Sequence, residues 1–218
     1  MTFERLRIGS RLLVVTPDDV PFRERLSQAA RRAVEGGAGA VLFRERSLCD
    51  ADFVALAARV RAETEDAGGV FVVNERFRLA AAIGARAAHI TARNDPGDSA
   101  RARRLGLVVG MSVRSPEEAR VAVREGAVDY LIAGTVYPTA SKPGLTDYLG
   151  PGGLAAIAQA VTQPVFGIGG IDVSNAASLI RAGARGVAVM RGVFAAPDPR
   201  AAAAAIVQAL AAEEPFGL

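Results

Sequence analysis

Short runs of β-branched and apolar residues alternate along the chain with longer stretches rich in Ala, Leu and Arg. Eight such runs read as strands, over residues 12–16, 38–44, 70–74, 87–91, 108–112, 130–134, 164–169 and 186–190. Most are continuously apolar rather than alternating, the pattern of parallel strands covered on both faces. Helical patterns lie between them at 23–35, 50–66, 75–83, 117–124 and 153–160, with two more at 173–182 and 199–211. Ser115 ahead of Pro116-Glu117-Glu118 reads as an N-cap, a first-turn proline and first-turn acids. Gly36-Gly37, Gly126 and Gly183 stand where helices should stop. Eight strands with helical connections in about 200 residues predict an α/β protein with a single (β/α)8 TIM barrel. The barrel is expected over 11–211, with 1–10 as a cap segment and 212–218 as a tail. A doubly wound open sheet is the alternative, but no glycine-rich turn follows the first strand.

Composition narrows the picture. The chain has 218 residues, half of them apolar and 22% charged, with a mean hydropathy of +0.23. That allows a sizeable core and excludes a disordered or collagen-like chain. Cys49 is the one cysteine, so neither an internal disulfide nor a cysteine metal cluster can form; it sits at a helix start and reads as packing. No uncharged apolar run is long enough to cross a bilayer, and the opening MTFERLRIGSRLLVV lacks the pattern of a secretory signal. A soluble cytoplasmic protein with no membrane partner is the expectation.

The isoelectric point is 9.6, yet the net charge is only +3 and the basic residues are interleaved with acids. Aromatics make up 6% of the chain and tryptophan is absent, so neither a phosphate-tracking stripe nor a stacking platform for nucleic acid is present. Of the 26 basic residues all but Lys142 are arginine. A lone lysine in such a chain marks either a place that needs a compact ammonium or chance survival on a loop.

A barrel places chemistry at the C-terminal ends of its strands. Gly169 and Gly170 after the seventh run, with the amides following Met190 and Arg191 after the eighth, can close around a phosphate; the alternative is that the glycines only make a tight turn. The loop 134–144 carries Thr139, Ser141 and Lys142, two hydroxyls and a cation suited to a second phosphate or a diphosphate. A solvated polar loop is its plain alternative. Arg44 and Arg46 point to one side at spacing two, and Asn74-Glu75-Arg76 and Asn94-Asp95 add amides and carboxylates. Glu75 with Asp95 suits a Mg2+ that keeps most of its waters, or else the same residues form an ion-pair ring that holds loops. His89, the only histidine, precedes its strand end and reads as a barrel-wall residue rather than a general base.

These strand-end motifs, in this order, resemble the thiamine phosphate synthase/TenI superfamily from about Leu12 to Phe194. The resemblance rests on Arg44-Glu45-Arg46, Gly110-Met111-Ser112-Val113 with Ser115-Pro116-Glu117-Glu118, and Asp129-Tyr130. Thr139-Ala140-Ser141-Lys142, Gly167-Ile168-Gly169-Gly170-Ile171 and Gly186-Val187-Ala188-Val189-Met190 complete it. It implies a cytoplasmic barrel, often a homodimer, acting on small phosphorylated substrates. In the synthases, Mg2+ and basic residues hold an aminopyrimidine methyl diphosphate; diphosphate leaves, and the nitrogen of a thiazole phosphate captures the pyrimidine-methyl cation. TenI relatives use no metal and aromatise a thiazole carboxylate phosphate by proton transfer, or serve a regulatory role.

Carried over by position, Arg44, Arg46, Ser112 and Lys142 are the catalytic candidates, with Thr139 and Ser141 in the same diphosphate cradle. Asn74 is a pyrimidine or diphosphate contact, and Gly169, Gly170, Met190 and Arg191 form the thiazole-phosphate site. Glu75 stands at a metal-binding position, and the second such position falls on Asn94, next to Asp95. Leu42 replaces the synthases' pyrimidine-reading glutamine, and Thr135 replaces the tautomerases' histidine. A threonine hydroxyl does not shuttle protons near neutral pH as imidazole does. A synthase therefore ranks ahead of a tautomerase, and both ahead of a non-catalytic protein that binds thiazole phosphate.

Overall fold

The computed structural model describes residues 9–18, 25–95, 97–125 and 128–212. The expected cap at 1–10 falls mostly outside these, as do the tail beyond 212, the helix start at 23–24 and the stop at Gly126. Eight parallel strands close on themselves in chain order: β1 (Leu12–Val15), β2 (Ala40–Phe43), β3 (Val70–Asn74), β4 (Ala87–Ile90), β5 (Val108–Val113), β6 (Tyr130–Gly134), β7 (Val165–Ile168) and β8 (Gly186–Val189). β8 returns to β1 through the pairs Leu12↔Val187 and Val14↔Val189. The single (β/α)8 barrel is what the continuous apolar runs predict.

Parity along each strand separates two cores. Leu13, Val15, Ala40, Leu42, Val72, Ala87, Val108, Tyr130, Ile132, Phe166 and Ala188 pack together as the filling of the barrel. Their neighbours Leu12, Val14, Val41, Phe43, Phe71 and Val73 pack outward against the helices. Tyr130 lies opposite Gly110, and a Cβ there would fall inside its ring, so this glycine makes room for the largest inward side chain. Continuing the same parity past the strand ends brings Arg44, Asn74, Ser112 and Met190 to the rim.

The helices are α1 (Leu26–Glu35), α2 (Asp50–Asp66), α3 (Ala80–Ile83), α4 (Asp98–Arg104), α5 (Pro116–Arg124), α6 (Gly150–Gln159), α7 (Ala176–Arg181), α8 (Arg191–Phe194) and α9 (Pro199–Ala211). Three differ from expectation. The helix read over 75–83 starts later, with a 3-10 turn at Phe77–Leu79 before α3, because Glu75 has φ of 64°, outside the right-handed region. α6 starts earlier than 153, with Pro151 in its first turn. α7 is shorter, since Asp172 and Asn175 cap a turn ahead of it. α4 and α8 were not anticipated. Cys49 precedes α2 as its N-cap residue; it is exposed and its thiol donates to Asp52 at 3.3 Å, so it is not packed as expected.

Candidate active site

Three groups of strand-end residues meet at the barrel rim. The first is built by β6, β7 and β8. Val136 N–H donates to Ile168 O and Tyr137 N–H to Gly169 O, so the loop after β6 runs beside the loop after β7. Gly169 and Gly170 hold φ of 103° and 64°. A Cβ at Gly169 would strike Thr135, and one at Gly170 the Pro138 carbonyl, so only bare backbone lets the two loops approach this closely. The result is a cavity of about 170 Å3 lined by Thr135, Thr139, Ser141, Lys142, Gly169, Gly170, Met190 and Arg191, with Ile168, Ile171, Ala188, Val189 and Gly192. The phosphate candidates and the hydroxyl-lysine loop, far apart in the chain, thus share one pocket. Thr139 O accepts from Lys142 N–H at 3.2 Å and its Oγ1 from Ser141 N–H at 3.3 Å, which folds that loop into a tight turn.

The second group is cationic. Thr16, fully buried, grips the backbone of Arg44: its hydroxyl donates to Arg44 O at 2.9 Å and accepts from Arg44 N–H at 2.8 Å. Arg44 then pairs with Asp18 at 2.7 Å, and Arg46 with Glu75 at 3.3 Å. Burial works to raise the Asp18 carboxyl, but the hydrogen bond and charge of Arg44 outweigh it and the pKa falls below 3.8. Glu45 turns the other way, buried, and accepts from Ser47 N–H and Oγ–H, both at 2.8 Å. Lys142 is pushed below its ordinary 10.5 by burial first and then by the charges of Arg114, Arg46 and Arg44. The charges of these three arginines therefore reach Lys142. Arg44 and Arg46 carry carboxylate partners, whereas Lys142 and Arg114 make no ion pair among the described residues. Like charges held together without counter-charges favour an anion between them.

The third group surrounds Glu75. Its Oε1 accepts from both Arg46 and Thr91, the latter at 3.0 Å, so Oε2 meets no donor among the described residues. Asn94 spends its amide on the loop, accepting from Thr91 N–H and donating to Glu75 O at 2.8 Å. Asp95 is exposed, with its N–H held by Asp98. Glu75, Asn94 and Asp95 are thus not assembled as a cage, and among the described residues no three His, Cys, Asp or Glu converge. Asn74 is buried at the end of β3. Ser112 accepts or donates at 2.9 Å to Nε2 of the buried His89.

Comparison with known proteins decides the family. The profile described as thiamine monophosphate synthase matches residues 12–193, which spans the whole barrel. The chain belongs to the thiamine monophosphate synthase family. A thiamine-phosphate synthase of Roseiflexus sp. (strain RS-1) is 38% identical over 200 residues, covering 91% of this chain and 84% of that one. The thiamine-phosphate synthase of Moorella thermoacetica is 42% identical over 178 residues, covering 81% and 84%. A solved thiamine phosphate pyrophosphorylase from Pyrococcus furiosus superposes with a TM-score of 0.82 at 30% identity, covering 95% of this chain and 98% of that one.

Within this thiamine monophosphate synthase barrel, Leu42 is 2% exposed and faces inward beneath Arg44, so an apolar side chain floors the mouth there. Thr135 is buried. Three contributors escaped the sequence reading: Thr16, Asp18 and Arg114. Arg114 alone had a usable signal, since it follows Ser112 at spacing two and shares its parity.

Proposed function

We propose that the chain joins hydroxymethylpyrimidine diphosphate to thiazole phosphate, giving thiamine phosphate and diphosphate. The observation that carries this is the shared mouth: a glycine-lined phosphate pocket between β7 and β8 adjoins a cluster of four cations. One half suits a monophosphate and the other a diphosphate, and Lys142 belongs to both.

In this reading the backbone of Gly169 and Gly170, with Met190 and Arg191, holds the thiazole phosphate. Lys142, Arg114, Arg44 and Arg46 hold the diphosphate, helped by Thr139, Ser141 and Ser112. Asn74 offers the pyrimidine an amide that makes no side-chain hydrogen bond among the described residues. The carbon–oxygen bond to the diphosphate breaks, the leaving group keeps the electron pair, and the thiazole nitrogen donates its lone pair to the methylene carbon. The residues need move no proton for this. They spread the charge that builds on the departing oxygens, which is the term a preorganised cationic site supplies best. The apolar floor of Leu42, Ile132 and Ile168 keeps water from the cation.

Magnesium fits the donor set at one point. A hydrated Mg2+ needs only one or two protein carboxylates alongside substrate oxygens, and Glu75 Oε2 is the available one, with Asp95 nearby in sequence. Bound there, the ion supplies further neutralisation of diphosphate charge. A homodimer and a cytoplasmic location belong to the same proposal; among the described residues no helix is long and apolar enough to cross a membrane. Nothing at the site favours a tautomerase, as position 135 is a buried threonine and the one imidazole is engaged by Ser112.

The test is a pair of variants. Lys142→Ala and Glu75→Gln should each lower thiamine phosphate formation by roughly a hundredfold or more. Wild-type turnover in both would overturn the assignment.

A further inference from the structure

The mechanism above leaves one buried titratable group unused. His89 is 2% exposed on the inner face of β4, in register with Gly110 of β5 and Asn74 of β3. Its Nε2 lies 2.9 Å from Ser112 Oγ, and its ring sits 5.7 Å from that of Tyr130. Nδ1 is buried and makes no hydrogen bond among the described residues. The ring is buried and meets no carboxylate among the described residues, so it is neutral and carries one N–H and one lone pair.

That asymmetry selects the tautomer. With the proton on Nδ1, a buried N–H would have no acceptor, an arrangement that native structures almost never tolerate. With the proton on Nε2, the only unmet atom is a lone pair, which costs less. Nε2–H must then donate to Ser112 Oγ, and the serine proton cannot point back at the ring. Ser112 is only partly buried and stands on the rim, on the side of β5 that continues to Arg114.

We propose that His89 is a positioning residue: it donates from Nε2 to Ser112 Oγ and so turns the serine's own proton into the barrel mouth, toward an oxygen of the substrate's diphosphate. This rests on the reading that the mouth takes a diphosphate. It gives the site a neutral donor of fixed direction beside the cations, and explains why a histidine occupies an otherwise apolar strand.

The chain has one histidine, so isotope-labelled histidine yields a single pair of ring-nitrogen NMR signals that report the tautomer in the wild-type protein. The expected result is Nε2–H. Binding of inorganic pyrophosphate with Mg2+, followed by calorimetry, supplies the functional arm. His89→Leu should weaken it about tenfold, the scale of one hydrogen bond to a charged group. His89→Gln, whose amide N–H reaches close to the Nε2 position, should retain most of it. Ser112→Ala should lose the same tenfold, and adding His89→Leu to it should cost nothing more. Thiazole phosphate should bind all of these variants as it binds the wild type. An Nδ1–H tautomer in a chain that binds pyrophosphate overturns the proposal alone. Equal loss of both ligands in His89→Leu also overturns it, since that marks a merely structural role. A wild-type chain that binds no pyrophosphate overturns the diphosphate reading and the proposal with it.

Discussion

At the residue scale, function is a matter of which cations are already neutralised. Arg44 and Arg46 reach the mouth with Asp18 and Glu75 attached, so their charge is partly spent on fixing their position. Lys142 and Arg114 have no such partner among the described residues and offer their full charge to an anion. Truncating Lys142 to alanine should therefore lower kcat by roughly a hundredfold or more, the cost of removing one preorganised donor. Arg114→Gln should weaken pyrophosphate binding about tenfold and leave thiazole phosphate untouched, as calorimetry would show. Because Lys142 titrates below an ordinary lysine, pyrophosphate affinity should decline on the alkaline side at a lower pH than 10.5. Lys142→Arg should remove that decline, since guanidinium keeps its proton. Lys142 was visible in the sequence because it stands alone among arginines. Asp18 was not: its partnership with Arg44 exists only because β1 and β2 are neighbours and Thr16 clamps the Arg44 backbone.

At the element scale, the site depends on how strands hand over to loops. Gly169 and Gly170 let the β6 and β7 loops touch, and their positive φ values cannot be kept by other residues without strain. Gly169→Ala should weaken thiazole phosphate binding by about tenfold or more, with pyrophosphate binding less affected. The α5 cap makes a contrasting case. Ser115 Oγ accepts from Glu118 N–H at 3.1 Å, and Glu118 Oε2 accepts from Arg114 N–H at 2.7 Å. Ser115→Ala should cost about 1 kcal/mol in denaturant unfolding. This cap was legible because Ser-Pro-Glu-Glu spells it locally. α4 was missed because Asp-Ser-Ala-Arg-Ala-Arg-Arg is short and mostly polar, with only Asp98, Ser99 and Ala102 buried. α8 is a single turn, too brief for any hydrophobic period to show. The late start beyond Glu75 follows from its left-handed backbone, which no nearby glycine announces.

At the scale of the whole molecule, eight apolar runs buried on both faces dictate the barrel, and the barrel dictates that rim residues converge. The strands were legible to within two residues at each end, because continuous burial leaves a continuous apolar run. The pairing of rim residues was not, since it depends on closure and on the side each strand turns inward. At the start of α4, Asp98 braces the helix with Arg101 at 2.7 Å, Arg78 at 3.3 Å and the Asp95 N–H at 3.2 Å. Burial opposes its ionisation, but these partners outweigh burial and hold its pKa below 3.8. A carboxyl depressed in the folded state stabilises above its unfolded pKa and loses that contribution as pH falls through the folded value. Asp98→Asn should therefore be less stable than wild type near neutral pH, with the gap closing below about pH 3.8 in denaturant titrations. The most direct test of the whole account is thiamine phosphate formation by the intact chain from hydroxymethylpyrimidine diphosphate and thiazole phosphate, with Mg2+ and again with EDTA. Product that forms with Mg2+ and vanishes with the chelator is the predicted result. A chain that binds thiazole phosphate yet forms no product under either condition would contradict it.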